Sequence, residues 1–249
     1  MADREALRDA AGRAVATFVP GTRDGLPLAD DVAVAPGVAL ADVAAAAEAS
    51  LGGHIVGAAV DLGELLVARG ATARRRVVVM TRDLGPAVAP VTPAAGVSVA
   101  PAGATAPDAL LDAYIAAYPP GHPDHRPGLG RDGEREELRE LMAGEVIGTQ
   151  LACSRIAVAG GEEVGAALLY DHRGVPPLGG PWVGELFRHP DAPAGTGAAL
   201  LASALSAARA GGMATVGLVV TEGNPARRLY ERAGFVERQR LFAVLLPPR

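Results

Sequence analysis

Apolar and polar positions alternate with two different periods along this chain, and the change of period marks out its elements. Ile156-Ala157-Val158 and the run Val164 to Tyr170 are apolar stretches separated by Gly160-Gly161-Glu162, the punctuation of an antiparallel hairpin. Further strands are predicted at Val97 to Ala100, Trp182 to Arg188, Ala214 to Val220 and Val236 to Leu246. Helical spacing appears at Asp108 to Tyr118 behind Pro107, at a polar segment around Glu134 to Val146, and in the Ala/Leu stripe Gly197 to Ala210, which Gly211-Gly212 stops. A Pro/Gly-rich loop, Pro119 to Asp132, joins the first two of these helices, and a short helix opened by Asn224-Pro225 ends at Gly234. Before residue 95 the pattern predicts helices at Ala2 to Phe18 and Val43 to Ala49 and a strand at Val77-Val78-Val79-Met80. Strands followed by alternating helix and strand predict an α/β chain of mixed α+β character, divided into an N-terminal unit, 1–95, and a second unit, 96–249.

Composition narrows the functional classes. With 249 residues, 49% hydrophobic and 20% charged, the chain can bury one large core or two modest ones. A net charge of −5 and the lack of long like-charge blocks argue against nucleic acid and against a basic membrane-binding face. The densest basic cluster, Arg74-Arg75-Arg76, reads as the solvated start of a strand, because adjacent residues cannot share one side of a pleat. A single cysteine, Cys153, excludes an intrachain disulfide framework and a cysteine-based zinc site, and fits the reducing cytoplasm. No apolar run approaches the roughly 18 residues of a membrane span, so a soluble, unprocessed cytoplasmic protein is expected.

The chemistry concentrates near the C-terminus. Gly195-Thr196-Gly197 opens the Ala/Leu-rich helix, and such a turn lets backbone N–H groups approach a pyrophosphate at a helix N-terminus. The run Asn224-Pro225-Ala226-Arg227-Arg228-Leu229-Tyr230-Glu231-Arg232-Ala233-Gly234-Phe235 follows, and Tyr230 carries a phenol able to donate a proton. That pair, in that order, resembles the GNAT superfamily of acetyl-CoA-dependent N-acetyltransferases, over a stretch from about Pro181 to Leu246. The resemblance implies a mixed, mostly antiparallel sheet flanked by helices, with acetyl-CoA as co-substrate, no metal, and a primary amine, on a small molecule, as acceptor. It also implies roles for named residues. Ala194, Gly195, Thr196, Gly197 and Ala198 would hold the CoA pyrophosphate, and Phe187 and Arg188, at the end of a splayed strand, would offer backbone N–H groups to the thioester carbonyl. Tyr230 would protonate the departing thiolate, and Asn224 would cap its helix, contact the pantetheine arm, or do both. The family's turn usually begins with Arg or Gln three residues before the first glycine, where this chain has Ala192; Arg227 or Arg228 would compensate.

The acceptor's base is Glu185 on this reading, with His122 and His125 as the competing candidates and a solvent-facing strand position as the plain alternative for Glu185. A metal at His122 and His125 lacks a third ligand nearby. Tyr114 and Tyr118 lie one turn apart and would line either a core or the acceptor site, and Glu134, Glu136 and Glu137 would supply an acidic wall or a solvated helix face. The N-terminal unit carries a faint echo of the motif: Leu65 to Arg76 can be laid over Leu229 to Arg240 with Gly70 on Gly234, which puts Leu66 at the tyrosine and Val60 at the asparagine. This unit is then a degenerate, non-catalytic GNAT-like copy; two unrelated helix-turn-strand units would produce the same pattern. A non-catalytic CoA-binding accessory module is the second functional reading. A dinucleotide-binding oxidoreductase is disfavoured, since Gly195-Thr196-Gly197-Ala198-Ala199-Leu200 lacks a third glycine. Oligomeric state stays open, a homodimer included.

Overall fold

The computed structural model describes residues 4–23, 25–103, 105–174 and 176–248. In chain order the elements are β1 (Glu5–Arg8), β2 (Ala14–Arg23), β3 (Leu26–Val34), α1 (Leu40–Ser50), β4 (Ile55–Ala59), α2 (Val60–Ala68), β5 (Thr72–Asp83) and β6 (Val97–Pro101). They continue with α3 (Pro107–Ala117), α4 (Gly130–Met142), β7 (Gly148–Gln150), β8 (Arg155–Ala159), β9 (Glu162–His172), β10 (Gly180–Arg188), α5 (Thr196–Ala210), β11 (Thr215–Thr221), α6 (Arg227–Arg232) and β12 (Val236–Leu245). The chain forms two compact units, one of Met1–Val78 with Gln239–Arg249 and the other of Val79–Arg238. The division falls within β5 and β12, away from residue 95.

In the first unit the strands run β1-β2-β3-β4-β12, antiparallel throughout except that β3 and β4 are parallel. Its core gathers Val15, Phe18, Val43, Leu62, Leu66, Phe242 and Val244. The helix expected over Ala2 to Phe18, of which Ala2 and Asp3 lie outside the described residues, is from Glu5 onward a pair of strands. Asp9 accepts hydrogen bonds from the N–H groups of Ala11 and Arg13, Gly12 sits at φ 80°, and together they turn the chain into a hairpin. The alanines around that turn mimic helical composition, but Val15, Thr17, Phe18 and Val19 favour the pleat.

In the second unit the order is β6-β8-β9-β10-β11-β5, with β7 on the end of β9; the β10·β11 pair is parallel, and β6·β8, β8·β9 and β9·β10 are antiparallel. One face packs on α3 and α4 through Leu110, Tyr114, Leu138, Leu168, Tyr170 and Phe187. Helix α5, with Leu200, Leu201 and Leu205 buried, packs on β8, β9 and β10. The sheets are thus mixed and mostly antiparallel, with helices against them.

The two halves repeat one plan. The succession β1-β2-β3-α1-β4-α2-β5 matches β8-β9-β10-α5-β11-α6-β12, and in each the parallel pairing joins the third and fourth strands. The turns after α2 and α6 agree bond by bond. Ala71 N–H donates to Leu66 and Gly70 N–H to Val67, while Phe235 N–H donates to Tyr230 and Gly234 N–H to Glu231, each at 3.0 Å. Gly70 and Gly234 both adopt the left-handed conformation that ends such helices, at φ 109° and 85°. Leu66 therefore stands where Tyr230 stands.

Candidate functional site

The site is built in the second unit where β10 leaves β11. Among the described residues the two strands are in parallel register at Trp182 and Gly217, and the Trp182 ring lies so close over Gly217 that a Cβ there would sit 2.5 Å from it. Beyond that point β10 stays on β9, with Phe187 opposite Ala166 and Arg188 opposite Gly165, and among the described residues it has no strand partner on the β11 side. Backbone groups on that side can serve a ligand. A bulge at Gly184, between Val183 and Glu185, breaks the alternation just before the cleft. It explains why strand periodicity left the face of Glu185 open.

Glu185 is partly buried, its side chain 17% exposed. The Tyr118 hydroxyl donates to Oε2 at 2.5 Å, and Nη2 of Arg126 lies 3.6 Å from Oε1. Burial pushes this carboxyl above the usual range for glutamate, helped by the charges of Asp124 and Glu137, while Arg126 and the Tyr118 hydrogen bond pull it back down. Arg126 is the hub of the cluster. It donates to the Tyr114 hydroxyl and to Glu137, the latter at 2.7 Å, approaches Glu134 at 3.4 Å, and lies over the rings of Tyr114 and Tyr118. Glu134 and Glu137 thus face the site, whereas Glu136 is paired with Arg139 on the helix surface.

Tyr230 is 7% exposed and packs edge-on against Phe235 at 5.9 Å. Burial, then the charges of Glu185 and Asp124, hold its hydroxyl well above the ordinary phenol range, so it is a protonated donor at neutral pH. Asn224 uses both ends of its amide: Oδ1 accepts from Ala226 N–H at 2.8 Å and Nδ2 donates to Asp124 at 2.7 Å. Thr221 Oγ1 donates to the other oxygen of Asp124. The two histidines brace the same loop, His125 Nδ1 donating to the Tyr118 carbonyl at 2.8 Å and His122 Nδ1 accepting from Asp124 N–H at 3.1 Å. Among the described residues no cluster of His, Cys, Asp or Glu side chains could hold a metal ion.

The Gly195 turn follows β10 in the chain. Gly195 takes φ 90°, open to solvent, and α5 starts at Thr196. Thr196 is fully buried, with both its N–H and its hydroxyl turned onto the Pro193 carbonyl, so it braces the turn. Among the described residues the N–H groups of Gly195, Gly197 and Ala198 have no acceptor, the usual condition of a helix N-terminus. The side chain of Arg188 bonds the carbonyls of His189, Pro190 and Ala192 at 2.9, 2.8 and 3.2 Å and holds the preceding loop in shape. Ala192 is buried and Ala194 is exposed. Arg227 is tied to Glu231 at 2.8 Å and Glu237 at 3.0 Å, whereas Arg228 is exposed.

Asp124 and Arg126 are the site residues that sequence reasoning did not place there, and Tyr118, left open between core and site, joins them on Glu185. The Arg227 to Glu231 spacing on one helix face was the signal that Arg227 would be engaged.

No family model matches the sequence, and no curated protein matches it. Solved structures do match. A GCN5-related N-acetyltransferase from Sphaerobacter thermophilus is similar with a TM-score of 0.63 and 18% identity, covering 100% of this chain and 82% of that one. One from Kribbella flavida has a TM-score of 0.58 and 18% identity over 99% of this chain and 90% of its own. A tandem GNAT protein from the clavulanic acid biosynthesis pathway has a TM-score of 0.57 and 18% identity over 94% and 79%. The fold of this chain is that of the GCN5-related N-acetyltransferases.

Proposed function

We propose that this chain transfers an acetyl group from acetyl-CoA to a primary amine on a small molecule, without a covalent intermediate. The observation that carries the reading is a part-buried carboxyl group, Glu185, on the strand that leaves β11, within electrostatic reach of a buried, protonated phenol, Tyr230. The amine nitrogen attacks the thioester carbonyl carbon, a C–N bond forms and the C–S bond breaks. Glu185 takes the proton the nitrogen sheds, directly or through water, and Tyr230 gives its proton to the CoA thiolate; exchange with solvent resets both. The backbone N–H of Arg188 would polarise the carbonyl, since the Phe187 N–H, like that of His189, is turned to β9, and those of Gly195, Gly197 and Ala198 would hold the pyrophosphate. Arg228, being exposed, is better placed than Arg227 to add a charge there. With a lone buried cysteine, Cys153, the protein suits the cytoplasm; no helix among the described residues is long and apolar enough to cross a membrane.

The first unit is, on this reading, a non-catalytic copy. Leu66 replaces the phenol, and β3 and β4 stay paired from Leu28 and Ile55 to Val32 and Ala58, closing the cleft that β10 and β11 leave open. Similarity to a protein described as a tandem GNAT supports a two-copy plan. Calorimetry is therefore expected to give one acetyl-CoA per chain. Tyr230→Phe is expected to keep that affinity within about threefold while thiol release with spermidine, glucosamine and phenylethylamine falls ~10² or more. Binding without turnover of any amine would favour the accessory module, for which the small side chain of Ala192 is the supporting feature. Absence of acetyl-CoA binding would overturn the reading.

A further inference from the structure

The loop between α3 and α4 reaches across the second unit to the turn that starts α6, and one carboxylate makes the junction. Asp124 receives the Thr221 hydroxyl on Oδ1 and the Asn224 amide on Oδ2, from partners about a hundred residues away in sequence. Thr221 ends β11, Asn224 N–H donates to the Thr221 carbonyl, and Asn224 Oδ1 caps Ala226, so both donors belong to the rigid turn that aims α6 and Tyr230. Two residues beyond Asp124, Arg126 grips Glu185, Glu137 and Tyr114. The same short loop is thereby fastened to the segment carrying the acid and to the side chain proposed as the base. Prolines at 119, 120, 123 and 127 stiffen it.

We propose that Asp124 is a positioning residue that clamps the acceptor-side loop 119–129 onto the entry of α6, setting Glu185 and Tyr230 at a fixed separation for the acceptor amine. The role rests on the acetyltransferase reading, but the clamp itself is testable without turnover. Its hydrogen-bond polarity is the handle. Asp124 only accepts, while Asn224 donates through Nδ2 and accepts through Oδ1. In Asp124→Asn the amide serves Asn224 only by turning its nitrogen to Thr221 Oγ1, which reverses that hydroxyl and gives up both charge-assisted bonds, and in Asn224→Asp two carboxylates oppose each other. Exchanging the two side chains in the double variant D124N/N224D restores the bond from Thr221, the bond between positions 124 and 224 and the cap on Ala226. Position 124 then accepts from Thr221 through its amide oxygen and donates through its amide nitrogen to the carboxylate at position 224, which still caps Ala226.

The experiment is a double-mutant cycle on the full chain, read by amide hydrogen exchange at Gly121, His122, His125 and Arg126, by acetyl-CoA affinity in calorimetry, and by steady-state rates with whichever of spermidine, glucosamine or phenylethylamine wild type acetylates. Each single variant is expected to speed exchange in the loop about tenfold and the swap to return it to within about threefold of wild type. Where turnover is measured, the singles should raise the amine KM about tenfold and the swap should restore it, with acetyl-CoA affinity changed less than about twofold in Asp124→Asn, whose position is not part of the proposed CoA site. Wild-type exchange in both singles, or a swap no better than the worse single, would overturn the clamp. An amine KM unchanged while exchange rises would reduce Asp124 to a loop staple and also overturn the positioning role. Exchange behaving as expected in a protein that acetylates none of the amines supports the clamp while counting against the enzyme reading, so the two failures are distinguishable.

Discussion

Glu185 is where charge and burial compete most directly. Because burial raises its pKa and Arg126 lowers it, the ionised base is lost on acidification at a pH above the ordinary glutamate value of 4.5. The acidic limb of kcat/KM is expected above that value in wild type. Removing the opposing cation in Arg126→Gln favours the neutral carboxyl further, so the limb should move to higher pH; Glu185→Gln should abolish the limb and cost ~10²-fold or more in rate. A limb that stays put in Arg126→Gln would mean that Glu185 is not the titrating base. Tyr230 and Glu185 were singled out in the sequence because the resemblance puts one in a motif and the other three residues before the end of the strand leading to the glycine turn. Asp124 and Arg126 were not, and Tyr118 was so only as one of two alternatives, since their significance comes from partners such as Glu185 and Thr221 that only folding brings near. Thr196 and Arg188 were picked out for their backbone N–H groups alone; their side chains serve the turn itself, and the Thr196 N–H is also given to the Pro193 carbonyl.

At the level of elements, the glycines around the cleft separate strain from space. Gly195 has φ 90° and nothing within 4 Å of a Cβ, so Gly195→Ala is expected to cost only backbone strain, about 1–2 kcal/mol, in a melting experiment. Gly184 is the opposite case. A Cβ there would lie 2.4 Å from Ile147 and 2.6 Å from the Tyr170 ring, so Gly184→Ala should shift the bulge, displace Glu185 and depress turnover more than stability alone explains. Gly197→Ala meets only Leu229 at 3.7 Å and leaves the bulge untouched, so any loss of turnover there reports on the turn alone. Equal loss in Gly184→Ala and Gly197→Ala would remove the bulge from the argument. Helices α3 and α5 and the β8-β9 hairpin were readable from periodicity and breakers, because packing agrees with pattern in those segments. The hairpin of β1 and β2 was not, since Asp9 and Gly12 make a turn inside an alanine-rich stretch with helical spacing. The bulge also escaped, being a property of register with β9 that no single strand carries.

For the whole molecule, the decisive feature is the exchange of final strands between the two copies of the plan. The end of β12 pairs with β4 in the first unit, Leu241 facing Ala59, while β5 neighbours β11 in the second. A reader of sequence places a domain boundary in a Pro/Gly-rich linker, and 84–96 looks like one; exchange puts the division inside strands, which carry no such mark. Phe242, 3% exposed and stacked beneath Arg76 at 4.2 Å, belongs to the first core although it comes late in the sequence. Phe242→Ala is expected to destabilise that unit by about 3–5 kcal/mol, seen as lost protection in β4 amides. The same topology dictates an order of events on the ribosome. Residues 79–238 form a contiguous stretch that can collapse as soon as it has emerged, whereas the first unit, synthesised earlier, must wait for its missing strand at 239–245. The earlier half is thus the part that stays unfinished longest, its edge at β4 unpaired until that strand has left the tunnel, and it is the half whose exposure sets the demand for chaperones.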